Sequence, residues 1–269
     1  MTHPLRHFRF AAAALIAIAL HIQPARAAPQ SAAELCTEYK VLSTEFAKSA
    51  PGWQPKAPAS GTLLFIASDQ YTPAGKEGDQ YRDARNKYAD SLFTLAKRAA
   101  AAGQLSLAFQ WATETVRENP DHTAARRVLG YEQRDGQWLT AYGAKMFDAG
   151  KTWQPKSGWA STKDAKPSPG KKNNWILRTD HFLVSTNTSQ EAAAEIAARL
   201  ERLHQIWRQL FAGFYLPERE VRQLFEGDRA ARGQSKPFRV FYYRNREEYD
   251  DALRRRQPRI GETLGIYFD

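Results

Sequence analysis

The chain of 269 residues has a single cysteine, Cys36. That excludes an intramolecular disulfide framework and any zinc or iron–sulfur site built from several thiolates. Three catalytic signatures are also missing: the Gly-x-x-x-x-Gly-Lys-Ser/Thr phosphate loop, the Gly-x-Ser-x-Gly elbow and the His-Glu-x-x-His zinc helix. The one long apolar run, Phe10–Ile22, is interrupted only by His21. It falls short of the roughly 20 residues that span a bilayer. Apolar residues make up 42% of the chain, aromatic 12% and charged 25%. This balance describes a soluble globular protein and excludes collagen-like, prion-like and wholly disordered classes.

What is present begins with an address. Arg6 and Arg9 precede the apolar run without an acidic residue, and Ala25-Arg26-Ala27 follows Pro24 with small residues where a signal peptidase reads. Charged start, short apolar stretch and Ala-x-Ala site together predict a signal peptide over residues 1–27. A membrane anchor is the weaker reading. Leu35 before Cys36 is not small, so lipid attachment there is not expected. The mature chain is expected outside the cytoplasm, periplasmic or secreted, with no stable membrane anchor. Removing Arg6, Arg9 and Arg26 takes the formal charge from +10 to +7. Basic and acidic residues interleave throughout, so solvated faces explain the excess better than nucleic acid does.

Residues 28–159 read as a helical domain. Ser31 and Glu34 have capping-box spacing, and Leu35, Tyr39, Leu42 and Phe46 recur at helical intervals up to Pro51-Gly52. Residues 51–80 read as a long loop around one apolar run, Thr62–Ala67. From 82 onward, Tyr88, Leu92, Leu95 and Ala99 mark one helix, and Leu105, Ala108, Ala112 and Val116 a second, with Gly103 between them and Pro120 after. The hairpin resembles a tetratricopeptide-type repeat in Leu95-Ala96, Gly103, Ala108 and Pro120. One repeat and a fraction is too little for a free-standing solenoid, which needs about three. A third helix is expected over about 122–133. Trp138, Tyr142, Trp153 and Trp159, set among glycines, are expected to pin an extended segment onto the helices.

Residues 160–174 carry two prolines and four lysines but no large apolar side chain, and read as a linker. Beyond it, Trp175–Arg178 and Phe182–Thr186 read as strands flanking Thr179-Asp180-His181. Thr188 and Glu191 then have capping-box spacing for a long helix. Its stripe Ile196, Leu200, Leu203, Trp207, Leu210 and Phe214 predicts a face packed on the sheet. Phe238–Tyr243 reads as a strand, Asn245 and Glu248 cap a short helix, and Thr263–Phe268 reads as a last strand. The fold class is α+β: a helical domain followed by a partial mixed-sheet half-domain over 175–269.

Candidate chemistry is thin. Among the six histidines His3, His7, His21, His122, His181 and His204, His204 shares a helical face with Glu201 at i, i+3. Two donors do not make a stable metal site, so a solvated ion pair is the expected role. His181 is expected at the surface of a strand turn. Cys36 has no nearby histidine and reads as an inert thiol, and Arg254-Arg255-Arg256 suits the negative end of a helix.

The run Asp180-His181-Phe182-Leu183-Val184-Ser185-Thr186-Asn187, with Leu200-Glu201-Arg202-Leu203, Val240-Phe241-Tyr242 and Glu248-Tyr249, resembles secreted bacterial proteins of unknown function whose C-terminal domain is gluzincin-like. Arg127–Tyr131 and Gly136-Gln137-Trp138 resemble the region ahead of that domain. The resemblance implies a zinc metallopeptidase fold in which two histidines and a glutamate bind zinc and a second glutamate acts as general base. None of those residues can be placed on this sequence, so catalytic and metal residues are expected to be none, and zinc is expected only in a longer homologue. The segment Gly265, Ile266, Tyr267 would at most line a substrate. The leading expectation is the non-catalytic N-terminal part of a secreted peptidase-like protein. The alternative is a complete extracytoplasmic module that binds a protein or cell-wall polymer through the helical hairpin. A DNA-binding module is the least favoured reading.

Overall fold

A computed structural model describes residues 30–49, 76–161, 174–227, 236–263 and 265. The expected signal peptide, the apolar run Thr62–Ala67 and most of the 160–174 linker lie outside the described residues. So do Leu264 and Ile266–Phe268 of the expected last strand.

Helix α1 (Ala32–Ser49) starts at the predicted capping box. Ser31 Oγ accepts from the Glu34 N–H at 3.2 Å, and Glu34 Oε2 accepts from the Ser31 N–H at 2.8 Å. Helices α2 (Lys76–Ala101) and α3 (Leu105–Glu118) form the expected hairpin around Gly103, with α2 beginning six residues earlier than the periodicity suggested. Ala96, Ala99, Ala108 and Ala112 are fully buried where the two helices meet, because only a methyl side chain lets backbones approach this closely. Tyr39 of α1 stacks on Trp111 with ring centroids 5.6 Å apart. Its hydroxyl and that of Tyr88 both donate to Glu114, at 3.0 and 2.8 Å.

Helix α4 (Thr123–Leu129) is shorter than expected. It stops at Gly130, whose φ of +97° closes the helix with bonds back to Arg126 and Arg127. Strands β1 (Tyr131–Arg134) and β2 (Gln137–Thr140) follow as an antiparallel hairpin. Asp135 (φ +45°) and Gly136 (φ +77°) make its two-residue turn, the Asp-Gly pair such a turn favours. Thr140 then caps α5 (Ala141–Asp148), and β3 (Thr152–Gln154) pairs with β4 (Gly158–Ala160). The aromatic stretch is therefore two hairpins and a helix rather than one extended segment. Trp153 and Trp159 face each other edge-on at 5.6 Å.

The remaining strands β5 (Trp175–Arg178), β6 (Phe182–Thr186) and β7 (Phe238–Tyr242) form one sheet in the order β5-β6-β7, antiparallel then parallel. Helix α6 (Gln190–Leu210) lies on it through Ala193 and Ala197, against Leu177 and Val184. The N-cap is Ser189, whose Oγ accepts from the Ala192 N–H at 3.0 Å, and not Thr188, whose hydroxyl is taken up by Thr186. Short helices α7 (Ala212–Tyr215) and α8 (Glu218–Glu226) follow. The predicted cap of α9 (Arg246–Leu253) is present, Asn245 Oδ1 accepting from the Glu248 N–H at 2.9 Å. The fold is α+β, with helices first and small sheets after.

Two features of the packing come from contacts distant in sequence. The charged stretch after Pro217 is helix α8, and it buries Val221, Leu224 and Phe225 in the core of the α2–α3 hairpin. Phe225 meets Phe93 and Phe109 at 6.0 and 5.8 Å. The hydrophobic core of the helical segment is thus completed by residues from beyond the expected linker. Second, the apolar stripe of α6 does not all face the sheet. The buried face is Ala193, Ala194, Ala197, Ala198 and Glu201, while Leu203, Trp207 and Leu210 are about half exposed and Phe214, just beyond, is 85% exposed.

Gly158 tests how tightly β4 sits on β5. Its φ is +75°, and an added Cβ would fall 1.9 Å from Leu177 Cδ1. Gly158→Ala combines left-handed backbone strain with overpacking, together about 2–4 kcal/mol. The urea midpoint should drop accordingly, with little change in the slope.

Candidate functional site

Three side chains from two elements converge beside the exposed part of α6. The β5–β6 turn, Thr179-Asp180-His181, is fixed first by its own backbone, the Thr179 N–H donating to the Phe182 carbonyl at 2.8 Å. Asp180 then pins the turn to α5. Its carboxylate accepts from Thr140 Oγ1 at 2.7 Å and from the Tyr142 N–H at 3.1 Å. Burial pushes the Asp180 carboxyl above the ordinary range, against the pull of the Thr140 bond.

His181, next in the turn, reaches across to α6. Its backbone N–H donates to Glu201 Oε1 at 2.8 Å, and its Nδ1 lies 2.8 Å from Glu201 Oε2. Glu201 is buried on the alanine face of α6. Burial alone would raise its pKa. The hydrogen bonds from His181 and Thr179 and the charge of His181 outweigh that, and hold the carboxylate below its ordinary range. One turn further along α6, His204 stacks on His181, with ring centroids 3.8 Å apart and planes at 23°. Burial, reinforced by the neighbouring His181, pushes His204 down to about 4. Among the described residues, His181, Glu201 and His204 each offer a donor atom within 4.8 Å of the other two.

The cluster lies at one side of a groove of about 480 Å³. Phe182, Leu200, Leu203, Trp207, Tyr215 and Phe238 line most of it. A second groove, of about 470 Å³, runs between α1 and α2 past Val41, Leu42 and Leu95. The carboxylate 2.8 Å from Nδ1 fixes the orientation of the His181 ring.

Sequence spacing brought Glu201 and His204 together but gave them the wrong role. Glu201 is buried rather than solvated, and its partner is His181, not His204. His181, expected at the surface, is half-buried at the centre of the cluster. No local pattern links residues twenty apart across a strand and a cap; the available signal was the Glu-x-x-His spacing itself. Gly265 is exposed with no neighbour within 4 Å of where a Cβ would sit, while Ile266 and Tyr267 lie outside the described residues. Cys36 is a half-buried free thiol on α1, and Arg254-Arg255-Arg256 are exposed at the end of α9. No protein-family model, curated protein or solved structure matches this chain.

A His204 pKa near 4 in the folded chain lies below the 6.5 of a free histidine. Between those values the unfolded chain binds the extra proton, so this residue's contribution to stability is intact above about 6.5 and is lost as pH falls toward 4. His204→Phe keeps a flat ring over His181 without the titration. Thermal midpoints measured from pH 7 to pH 4 should fall less steeply in the variant than in the wild type.

Proposed function

We propose that this chain works outside the cytoplasm as the substrate-holding, non-catalytic part of a peptidase-like protein. It binds an extended, partly apolar peptide along β7 and the α6 groove. The observation that carries this reading is the pairing of two features side by side. The stripe Leu203, Trp207 and Leu210 is exposed on α6, and β7 is paired only on its β6 side among the described residues, with Phe238, Phe241 and Tyr242 also exposed. An unpaired strand edge offers main-chain hydrogen bonds to a peptide, and adjoining apolar pockets take its alternate side chains.

Further support comes from the resemblance of Asp180–Asn187 and Val240–Tyr242 to gluzincin-like secreted proteins, whose fold uses an open sheet beside the substrate. The extracytoplasmic assignment rests on the leader-like Arg6–Ala27 segment. Among the described residues no helix is long and apolar enough to cross a membrane. The formal charge of +7 left after removal of Arg6, Arg9 and Arg26 from the +10 of the full sequence favours peptides carrying acidic residues.

A fluorescein-labelled octapeptide of alternating Leu and Glu is a direct probe. Fluorescence anisotropy should show saturable binding to the wild-type chain, weakened roughly tenfold, or about 1.4 kcal/mol, by Leu203→Asp. The same peptide N-methylated at alternate residues should bind poorly, since it cannot complete a strand ladder. Equal binding by the methylated peptide, or no effect of Leu203→Asp, would remove the basis for this reading.

A further inference from the structure

The His181–Glu201–His204 cluster has the composition and spacing of a transition-metal site. We infer that these three side chains bind one divalent ion of the zinc class, with two imidazoles and one carboxylate as donors. In the sequence, Glu201 and His204 supply only two donors at helical spacing, too few for a stable metal site; the third donor is brought in by the fold. Here one histidine comes from the β5–β6 turn, and the glutamate and second histidine from one face of α6.

Geometry carries the assignment. A tetrahedral zinc with bonds of about 2.0–2.1 Å sets its ligands roughly 3.4 Å apart. The three donors lie within 4.8 Å of one another; the two imidazoles, now stacked at 23° with centroids 3.8 Å apart, turn out of the stack on binding so that both in-plane lone pairs meet the ion. His181 Nδ1 and Glu201 Oε2 face each other at 2.8 Å, hydrogen-bonded where the ion would sit. Binding replaces that hydrogen: a neutral His181 shifts it to Nε2, and an imidazolium releases one proton to solvent. No redox change or co-reactant is needed. The two-nitrogen, one-oxygen donor set suits zinc, nickel and copper far better than magnesium or calcium.

Rigidity is supplied by neighbours outside the cluster. Asp180 anchors the residue before His181 through Thr140 and the Tyr142 N–H. The residue after His204, Gln205, donates to the Tyr131 hydroxyl at 2.9 Å. Both donor-bearing elements are thereby held by contacts the ion does not have to make. Three protein donors leave at least one coordination position open, the pattern of sites that hold a water or exchangeable ligand rather than closed structural sites.

The inference stands apart from the peptide-binding reading, since metal uptake is measured with no peptide present. The full chain, freed of metal by chelator and dialysed, is titrated with Zn²⁺ in competition with a chromophoric chelator. The expected result is one ion per chain, with affinity reduced at least about tenfold in Glu201→Gln and His204→Ala. Co²⁺ in place of Zn²⁺ should give a visible absorption band in the wild type that both variants lose, a readout that a purely structural role would not produce. Because Glu201 is buried, circular dichroism checks that Glu201→Gln folds, and the more accessible His204→Ala stands alone should it not. Absence of stoichiometric uptake by the wild type would overturn the assignment, as would uptake and a cobalt band unchanged in His204→Ala.

Discussion

Close approach through alanine is the constraint on which most of this structure rests. Helices α2 and α3 meet through Ala96, Ala99, Ala108 and Ala112, and α6 meets its sheet through Ala193 and Ala197. An alanine contact brings backbones together but fills little volume, so larger side chains must close the remaining space from elsewhere. In the helical segment that filler is α8, whose Val221, Leu224 and Phe225 complete a core that one helical hairpin could not build alone. At the other end of the same connection, the Ser106 hydroxyl donates to the Leu210 carbonyl at 2.7 Å and ties the start of α3 to the end of α6.

The same constraint produces the exposed groove. With 100° between successive helical residues, the Ile196–Leu210 stripe lies roughly a third of a turn around α6 from its alanine face. A helix committed to the sheet through alanines cannot also bury a stripe so far around its circumference. The N-terminal members, Ile196 and Leu200, reach the sheet core from its margin. Leu203, Trp207 and Leu210 run past the end of β5 and β6 and remain half exposed. The apolar surface is thus a geometric consequence of how α6 seats, and it lies beside the one carboxylate on the alanine face.

Glu118 and Glu201 are buried carboxylates, one in each part of the molecule, and they are neutralised differently. Glu118 sits 3.2 Å from the Arg85 guanidinium, which also donates to the Arg117 carbonyl, a closed arrangement of charge against charge. Glu201 has no guanidinium. It is held by a backbone N–H and an imidazole of His181, donors that are individually weaker and, in the case of the ring, replaceable. A buried anion needs compensation. Burial still leaves Glu118 above its ordinary range despite Arg85, whereas the His181 and Thr179 bonds hold Glu201 below its own.

Local signals were legible wherever the physics was local. Ser31 with Glu34 and Asn245 with Glu248 predicted real caps, and the β5, β6 and β7 runs were read to within a residue, because alternation and capping act over a few positions. The capping-box pattern misled at Thr188 only because Ser189, the residue beside it, took the cap. The Asp135-Gly136 turn and the stop at Gly130 were also local signals, but the apolar pattern across 122–133 outweighed them in the reading. What sequence could not show was tertiary. Helix α8 looks like a solvated charged stretch until Phe225 is seen against Phe93 and Phe109. Likewise Glu201-x-x-His204 looks like an exposed pair until the sheet brings His181 over it. The direction of an amphipathic stripe depends on which neighbour claims the helix. On α6 the claim was made by alanines, which carry almost no signal in a hydrophobicity pattern, so the residues that decide the site are those the pattern weights least.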